Sequence, residues 1–331
     1  MGFLRFILAS LVMMSHLSIG FHNYNIGVMA VIVFYLLAGQ VVVRLWARMR
    51  IQPNAIMGFT RDRLLRILPQ YFAGIALSTL VWWWFGPLSN FLPAHPSVWA
   101  WVANLTVIPL NFFMYTGLDS FMLIPPAWSL GAELQFYFLT PLLFSLRSSR
   151  LWPVFFASFA FFVLAQLSIL DSDYFGYRLL PGILFIFLLG SAFVEQSPLY
   201  PRHTYQRIAM LGAWLLAGVY ALTLLILRDH QPFRVEVVVG LVCGLPLILL
   251  LQRNPTQKNW LKLLNRRAGE MSFGIFLYHF PVIWTLQSLG LPHTGLEAFP
   301  SVFFLSTLLA IAGHWCIERP LWRYMRPRVL V

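Results

Sequence analysis

Long apolar runs, separated by short segments that carry most of the arginines, alternate along the whole chain. Ten runs are long enough to cross a bilayer, because a hydrocarbon core of about 30 Å needs roughly 20 helical residues. They cover residues 3–20, 26–46, 68–86, 129–146, 151–169, 179–195, 208–227, 235–251, 270–289 and 300–317. We therefore predict an all-α polytopic membrane protein with about ten transmembrane helices, folded as one membrane-embedded domain over residues 1–331.

A further apolar stretch, residues 98–114, is short and is interrupted by Asn104, Thr106, Pro109 and Asn111. Whether it crosses the membrane decides the side on which every later segment lies. If it does not cross, the cytoplasmic side holds all but three of the 23 Lys and Arg residues, which is the distribution that the positive-inside rule favours. We therefore predict a re-entrant or interfacial segment here, with both chain termini in the cytoplasm.

The composition supports the membrane assignment, since 59% of the residues are hydrophobic and only 10% are charged. The net charge of +12 would suggest a nucleic-acid partner in a soluble protein. Here the charge follows the positive-inside pattern and suits anionic membrane lipid, so we expect lipid contact and no nucleic acid. Cys243 and Cys316 lie in apolar runs without metal-type spacing, so we expect no metal site.

Two polar residues in the first apolar run, Arg5 and His16, form a stripe on one helical face. They are eleven residues apart, which is about three turns and roughly 16 Å along a helix. His16 then lies past the midpoint of the membrane, where an ionisable side chain is by default a candidate functional residue. The alternative is that His16 makes a hydrogen bond to a neighbouring helix and Arg5 is an anchor at the inner surface.

A carboxylate, Glu133, lies near the start of the fourth span. Pro125 and Pro126 precede it, Ser129 is a candidate N-cap, and Tyr137 follows on the face of Glu133. The predicted topology puts Glu133 roughly 6 Å below the outer boundary and His16 roughly 7 to 10 Å below it. These matching depths predict a His16–Glu133 pair that faces one outward-opening cavity.

Arginines precede the third span, in the segment that contains Arg61, Arg63 and Arg66. If the segment is helical, Arg63 and Arg66 share a face and could clamp a phosphorylated ligand at the inner surface. The alternative is an anchor to lipid phosphate. In the ninth span, Tyr278 and His279 lie near mid-membrane, where His279 either makes a hydrogen bond between helices or contacts substrate or donor.

In this order and spacing, these features resemble the acyltransferase 3 family of integral membrane acyltransferases over nearly the whole chain. The matching features are Arg5 with His16, the FYLLAG stretch of the second span, Arg63-Leu64-Leu65-Arg66, WSLGAELQFY at 128–137, FGIFLYHFPV at 273–282 and the closing Ile317-Glu318-Arg319-Pro320. Ala38, within FYLLAG, stands where the family often has serine.

The resemblance implies transfer of an acyl group, most often acetyl, from cytoplasmic acyl-CoA to a hydroxyl of an extracytoplasmic glycan or glycolipid such as O-antigen or exopolysaccharide. It also implies an inner-membrane location. Some relatives carry a fused soluble esterase-like domain, and we expect this chain to act without one.

Under this interpretation His16 and Glu133 are the expected catalytic pair, and Arg5, Arg61, Arg63 and Arg66 the expected contacts of acetyl-CoA or another acyl-CoA. The expected substrate contacts are Trp128, Ser129, Tyr137, Tyr278 and His279. Direct transfer and an acyl-histidine intermediate both remain open. The alternative function is a proton-coupled transporter or flippase of a glycan or lipid-linked sugar, with the ionisable residues as a proton relay; a purely structural scaffold leaves those residues unexplained.

Overall fold

The computed structural model describes residues 1–20, 24–87, 91–93, 95–253 and 258–325, and each regular element within them is a helix. The helices are α1 (Gly2–His16), α2 (Ile26–Met49), α3 (Ala55–Phe85), α4 (Val98–Thr106), α5 (Ala127–Leu143), α6 (Ser148–Gln166), α7 (Leu180–Ser191), α8 (Thr204–Ile226), α9 (Arg234–Arg253), α10 (Asn259–Ser288), α11 (Gly295–Gly313) and α12 (Arg319–Met325). Short 3₁₀ and α-helical turns follow α4, and π-helical turns precede α7 and follow α11.

The predicted fold class is confirmed, because each of the ten predicted spans overlaps one of these helices. Seven of the described helices are long and apolar enough to cross a membrane on their own. Two helices begin well before the predicted spans, α3 at Ala55 and α10 at Asn259. Arg326 and Arg328, which the charge count assigns to the cytoplasmic side, lie outside the described residues.

The interrupted stretch at 98–114 is bent, as expected of a segment that does not form a straight span. Val98–Thr106 and Ile108–Thr116 meet at an angle of 111°, the geometry of a broken span or a re-entrant loop. The bend lies at Val107, whose φ of 66° is a left-handed conformation that a β-branched residue rarely adopts. Strain of this kind persists only where the surroundings hold it in place.

Asn104, one of the interruptions, stabilises this segment. Its side chain is fully buried, and its Nδ2 donates to the carbonyls of Ala100 (2.8 Å) and Phe121 (3.0 Å). Its Oδ1 accepts from the Leu123 amide (2.9 Å), and its own carbonyl accepts from the Tyr71 hydroxyl (2.6 Å). Asn104 therefore interrupts the apolar stretch and also supplies hydrogen-bond partners to its irregular backbone. Non-helical backbone that is buried in a membrane protein needs such partners.

The chain divides into two compact units. The first contains Met1–Ile19, Thr60–Gly131 and Gln257–Val331, and the second contains Gly20–Phe59 and Ala132–Thr256. A single membrane-embedded domain stays a prediction.

In the first unit α1 runs alongside α10 in the same direction. At one end the Phe3 amide donates to the Asn265 side chain (2.9 Å), and a Cβ at Gly269 would lie 2.9 Å from Gly2. At the other end His16 lies against the later turns of α10. Glycine therefore lets the two backbones approach closely where the helices begin.

In the second unit α2 and α7 approach backbone to backbone at two glycines. A Cβ on Gly39 would lie 1.9 Å from the Phe187 carbonyl oxygen, and one on Gly190 would lie 2.1 Å from the Leu36 carbonyl oxygen. Small residues at such contacts are typical of membrane helix pairs. The Phe187 ring also stacks on Phe136 of α5, with centroids 4.3 Å apart.

Candidate active site

His16 is the last residue of α1, and its imidazole lies against α10. The ring stacks on His279 with centroids 5.3 Å apart and an interplanar angle of 21°, and it lies 4.8 Å from the Phe280 ring. The following residue, Leu17, is fully buried, and its carbonyl accepts a hydrogen bond of 2.7 Å from the Gly295 amide. These contacts fix the end of α1 and leave the His16 side chain exposed.

His279 is fully buried, and its two ring nitrogens have different surroundings. Its Nδ1 lies 3.0 Å from the Ile275 carbonyl on the same helix, so Nδ1 carries the hydrogen and donates it. Of the two alternatives for His279, a hydrogen bond to another helix is not made by Nδ1, because this nitrogen bonds to the carbonyl four residues earlier on α10, and contact with substrate or donor stays a prediction. Within the described part of the chain, Nε2 has no hydrogen-bond partner. In the neutral ring Nε2 is then a buried acceptor beside His16.

Tyr278 faces a different neighbour from His279. Its ring packs on α11, where a Cβ added to Gly313 would lie 2.6 Å from the Tyr278 hydroxyl. The hydroxyl lies 3.5 Å from the Gln70 carbonyl of α3, and the side chain is 3% exposed. Substrate contact by Tyr278 stays a prediction.

The arginine segment is helical, as the prediction of a shared face requires, because it forms the early turns of α3. Arg61 is exposed, whereas Arg63 is 9% exposed and pairs with Asp62 at 2.5 Å. Arg66 pairs with Glu318, in the π-helical turn after α11, and its guanidinium lies 5.8 Å from the Phe273 ring centroid. Two of the three guanidinium groups therefore already contact a carboxylate.

Sequence reasoning missed the partners that surround Arg66. The Glu318 carboxylate also accepts from Gln70 Nε2 (2.5 Å) and from His314 Nδ1 (3.0 Å), and the residue is only 4% exposed. His314 Nε2 in turn lies 3.7 Å from Glu270 of α10. The available signal was Glu318 itself, because a carboxylate at the end of an apolar run needs a partner.

Arg5, the remaining predicted donor contact, is half-buried on α1. Burial and the nearby Arg5 charge lower the pKa of the Met1 amino group, so the Arg5 guanidinium adds positive potential at the amino-terminal end of α1.

The segment around Trp128 begins helix α5 three residues earlier than an N-cap at Ser129 would place it. The helix starts at Ala127, so Ser129 lies within its first turn. Its hydroxyl donates to the Pro126 carbonyl (2.9 Å) instead of accepting from a backbone amide, and the N-cap prediction is wrong. Trp128 is 8% exposed, and its carbonyl accepts from Asn111 Nδ2 (3.3 Å), which ties α5 to the segment after the 111° bend.

Further along α5 the predicted face of Glu133 is present. The Tyr137 hydroxyl donates to Glu133 Oε1, one turn away on the same helix. Tyr137 is 6% exposed, so the bond holds the half-buried carboxylate in a defined orientation. His16 belongs to the first unit and Glu133 to the second, and their pairing stays a prediction.

Among the described residues, no group of three or more His, Cys, Asp or Glu side chains is arranged to hold a metal ion.

One of the comparisons with known proteins identifies a family. A family model described as an acyltransferase domain, acyltransferase 3, matches residues 1–319. An uncharacterised protein of Aquifex aeolicus (strain VF5) is 33% identical over 195 residues, which are 59% of this chain and 84% of that protein. No solved structure matches the chain. The family match includes every residue of the candidate site described in this section.

Proposed function

We propose a specific reaction from the premise that this chain belongs to the acyltransferase 3 family and is a multi-pass membrane acyltransferase. It moves an acyl group, an acetyl group in the simplest case, from cytoplasmic acyl-CoA to a hydroxyl of an extracytoplasmic glycan such as O-antigen or exopolysaccharide. The chain then lies in the inner membrane with both termini in the cytoplasm.

The observation that carries the proposal is the arrangement of ionisable groups at two levels of α10. Arg66 lies against Phe273, and His16 stacks on His279 six residues further along the helix. Six helical residues correspond to about 9 Å. A guanidinium that could hold phosphate and an imidazole that could act on a hydroxyl therefore belong to one unit, a short distance apart along one helix.

The donor contacts follow from the chemistry of guanidinium groups. Arg63 and Arg66, with Arg61 and Arg5, hold the CoA phosphates through charge-assisted hydrogen bonds. A guanidinium has five N–H donors, so the bond from Arg66 to Glu318 leaves donors for a phosphate oxygen. Glu318 thereby orients the Arg66 side chain, and the pantetheine arm extends between the helices toward His16.

In the chemical step His16 acts as the general base. One of its ring nitrogens takes the proton of the glycan hydroxyl while the hydroxyl oxygen attacks the thioester carbonyl, and the C–S bond breaks to release CoA as thiolate. Glu133, held by Tyr137, orients the imidazole and stabilises its protonated form. In the variant with an acyl-histidine, the His16 nitrogen attacks the thioester first and the hydroxyl then displaces the imidazole. Trp128, Ser129, Tyr278 and His279 contact the acceptor or the acyl group.

The family match removes the basis for the alternative of a proton-coupled transporter or flippase, because the family consists of transferases.

The acceptor is tested by mass spectrometry of envelope glycans from cells with and without the gene. We expect one acyl substituent, a mass difference of one acetyl group in the simplest case, to disappear with the gene and to return with the wild-type copy. Identical glycan spectra in both strains would contradict the proposed acceptor class.

The donor is tested by the shift in unfolding temperature that CoA causes in the purified protein. We expect CoA to stabilise the wild type and the Arg150→Ala variant, in which an exposed arginine outside the proposed site is changed. We expect the stabilisation to be lost in Arg63→Ala and Arg66→Ala. Unchanged stabilisation in both variants would favour contact with lipid phosphate instead.

A further inference from the structure

A groove in the second unit lies between α8 and α9 and has no role in the proposed reaction. Its volume is about 280 Å³. Its lining is apolar except for one arginine and includes Phe193, Met210, Trp214, Leu245, Leu249 and Arg207. Among the described residues it therefore combines an apolar channel with one cationic group.

The groove has a defined orientation along its helices. Arg207 lies in the first turn of α8, and Trp214 lies seven residues further, about 10 Å along the axis. Trp214 Nε1 donates to the Val242 carbonyl of α9 (2.9 Å), which fixes the indole inside the groove. On α9, which returns in the opposite direction, Leu249 lies seven residues beyond Val242 and so comes back to the level of Arg207. The Arg207 guanidinium thus lies at one end of α8, which is long enough to span the membrane. The apolar lining of the groove extends from there toward the middle of the helix.

The charge on Arg207 is available to a ligand. Its Nε donates to the Pro201 carbonyl (3.2 Å), which holds the guanidinium at the end of the groove. In the described part of the chain it forms no ion pair, and the exposed Glu195 of the preceding connection does not pair with it. The side chain is exposed, as is that of Leu211, which also lines the groove.

We propose that this groove is a binding site for an anionic phospholipid. The phosphate accepts hydrogen bonds from the Arg207 guanidinium at the level of the membrane surface, and one acyl chain enters the groove beside Trp214. The spacing fits a lipid, whose charge lies at the interface and whose chains begin directly below it. The volume suffices for part of one chain, so the rest of the molecule stays in the bilayer.

The test uses Trp214 as a reporter of the acyl chain. The purified protein is placed in detergent micelles that contain increasing fractions of dibrominated phosphatidylglycerol or dibrominated phosphatidylcholine, since bromine quenches nearby indole fluorescence. The difference between the wild type and Trp214→Phe isolates the signal of Trp214. We expect half-quenching of Trp214 at about a fivefold lower fraction of the anionic lipid, the effect of one guanidinium near a membrane surface.

The charge requirement is tested in the same assay. Arg207→Gln should remove the preference for the anionic lipid, Arg207→Lys should keep it, and the control Arg228→Gln, at the other end of α8, should leave it unchanged. Equal quenching of the wild type by both lipids, or a preference that survives Arg207→Gln, would overturn the proposal. Neither result bears on acyl transfer, because no residue of the groove belongs to the proposed active site.

Discussion

Replacing Glu318 with alanine removes the carboxylate that joins Arg66, Gln70 and His314 in the first unit. Glu318 is 4% exposed and accepts from all three side chains. Without it the Arg66 guanidinium, 27% exposed, loses its carboxylate partner. Removing one partner of a buried ion pair costs about 3–5 kcal/mol, and the partial exposure of Arg66 puts the expected loss near the lower value, about 3 kcal/mol.

The assay is the free energy of unfolding of the purified protein, measured by titration with a denaturing detergent in mixed micelles. The matched control is Glu297→Ala, because Glu297 is an exposed carboxylate in the first turn of α11, the helix that leads to Glu318. We expect the control to change stability by no more than about 0.5 kcal/mol.

A double-mutant cycle separates the ion pair from general packing. If the pair exists, Arg66→Ala and Glu318→Ala together should destabilise by less than the sum of the single changes, with a coupling of at least about 1 kcal/mol. Additive effects, or a Glu318→Ala loss equal to that of Glu297→Ala, would refute the assignment of Glu318 as the partner of Arg66.

Two further predictions concern packing and the bent segment. Gly39→Ala should destabilise the protein strongly, because the new Cβ would lie 1.9 Å from the Phe187 carbonyl oxygen. The control Gly212→Ala, whose new Cβ would meet open space, should be neutral or should stabilise the protein by up to about 1 kcal/mol. Thermal unfolding in micelles compares the two variants, and equal unfolding midpoints would contradict the close contact between α2 and α7. Asn104→Ala should lower the free energy of unfolding by at least about 3 kcal/mol, because it leaves buried backbone groups without hydrogen-bond partners. The control Thr106→Ala removes an exposed hydroxyl and should change the free energy of unfolding little. A small change in both variants would show that Asn104 does not hold the bend.

The apolar pattern predicted the helices because the thickness of the bilayer sets the length of an apolar helix that crosses it. Each of the ten predicted runs overlaps a helix, and the interrupted stretch at 98–114 is bent. The beginnings of α3 and α10 were not visible in the pattern. The turns that lead into the apolar runs contain Arg61, Arg63 and Arg66 in α3 and Lys262, Arg266 and Arg267 in α10. Arg and Lys are good helix formers but carry no apolar signal, so the helices extend beyond the apolar runs.

Contacts within the site were predictable from the sequence where the two residues lie within one helical turn, and were not predictable where the residues are far apart in the chain. Tyr137 and Glu133 are one turn apart, so their hydrogen bond follows from helical spacing. Arg66 and Glu318 are 252 residues apart, and no periodicity joins them. For His279 the sequence left open a hydrogen bond to another helix or contact with substrate or donor, and it did not indicate that Nδ1 bonds to the Ile275 carbonyl one turn earlier on α10. Ser129 has the residue type of an N-cap, but the helix begins at Ala127.

The measurement that tests the central claim most directly is transfer of radiolabelled acetyl from acetyl-CoA to membrane glycan by the purified protein in vesicles made with acceptor-containing lipid extract. The variants are His16→Ala and, as a control, His293→Ala in the turn before α11, outside the proposed site. We predict that His16→Ala lowers the rate of acetyl transfer at least about a hundredfold, which is the usual minimum contribution of a general base. His293→Ala should keep wild-type activity, and both variants should insert normally into the membrane. Wild-type transfer by His16→Ala would contradict the account.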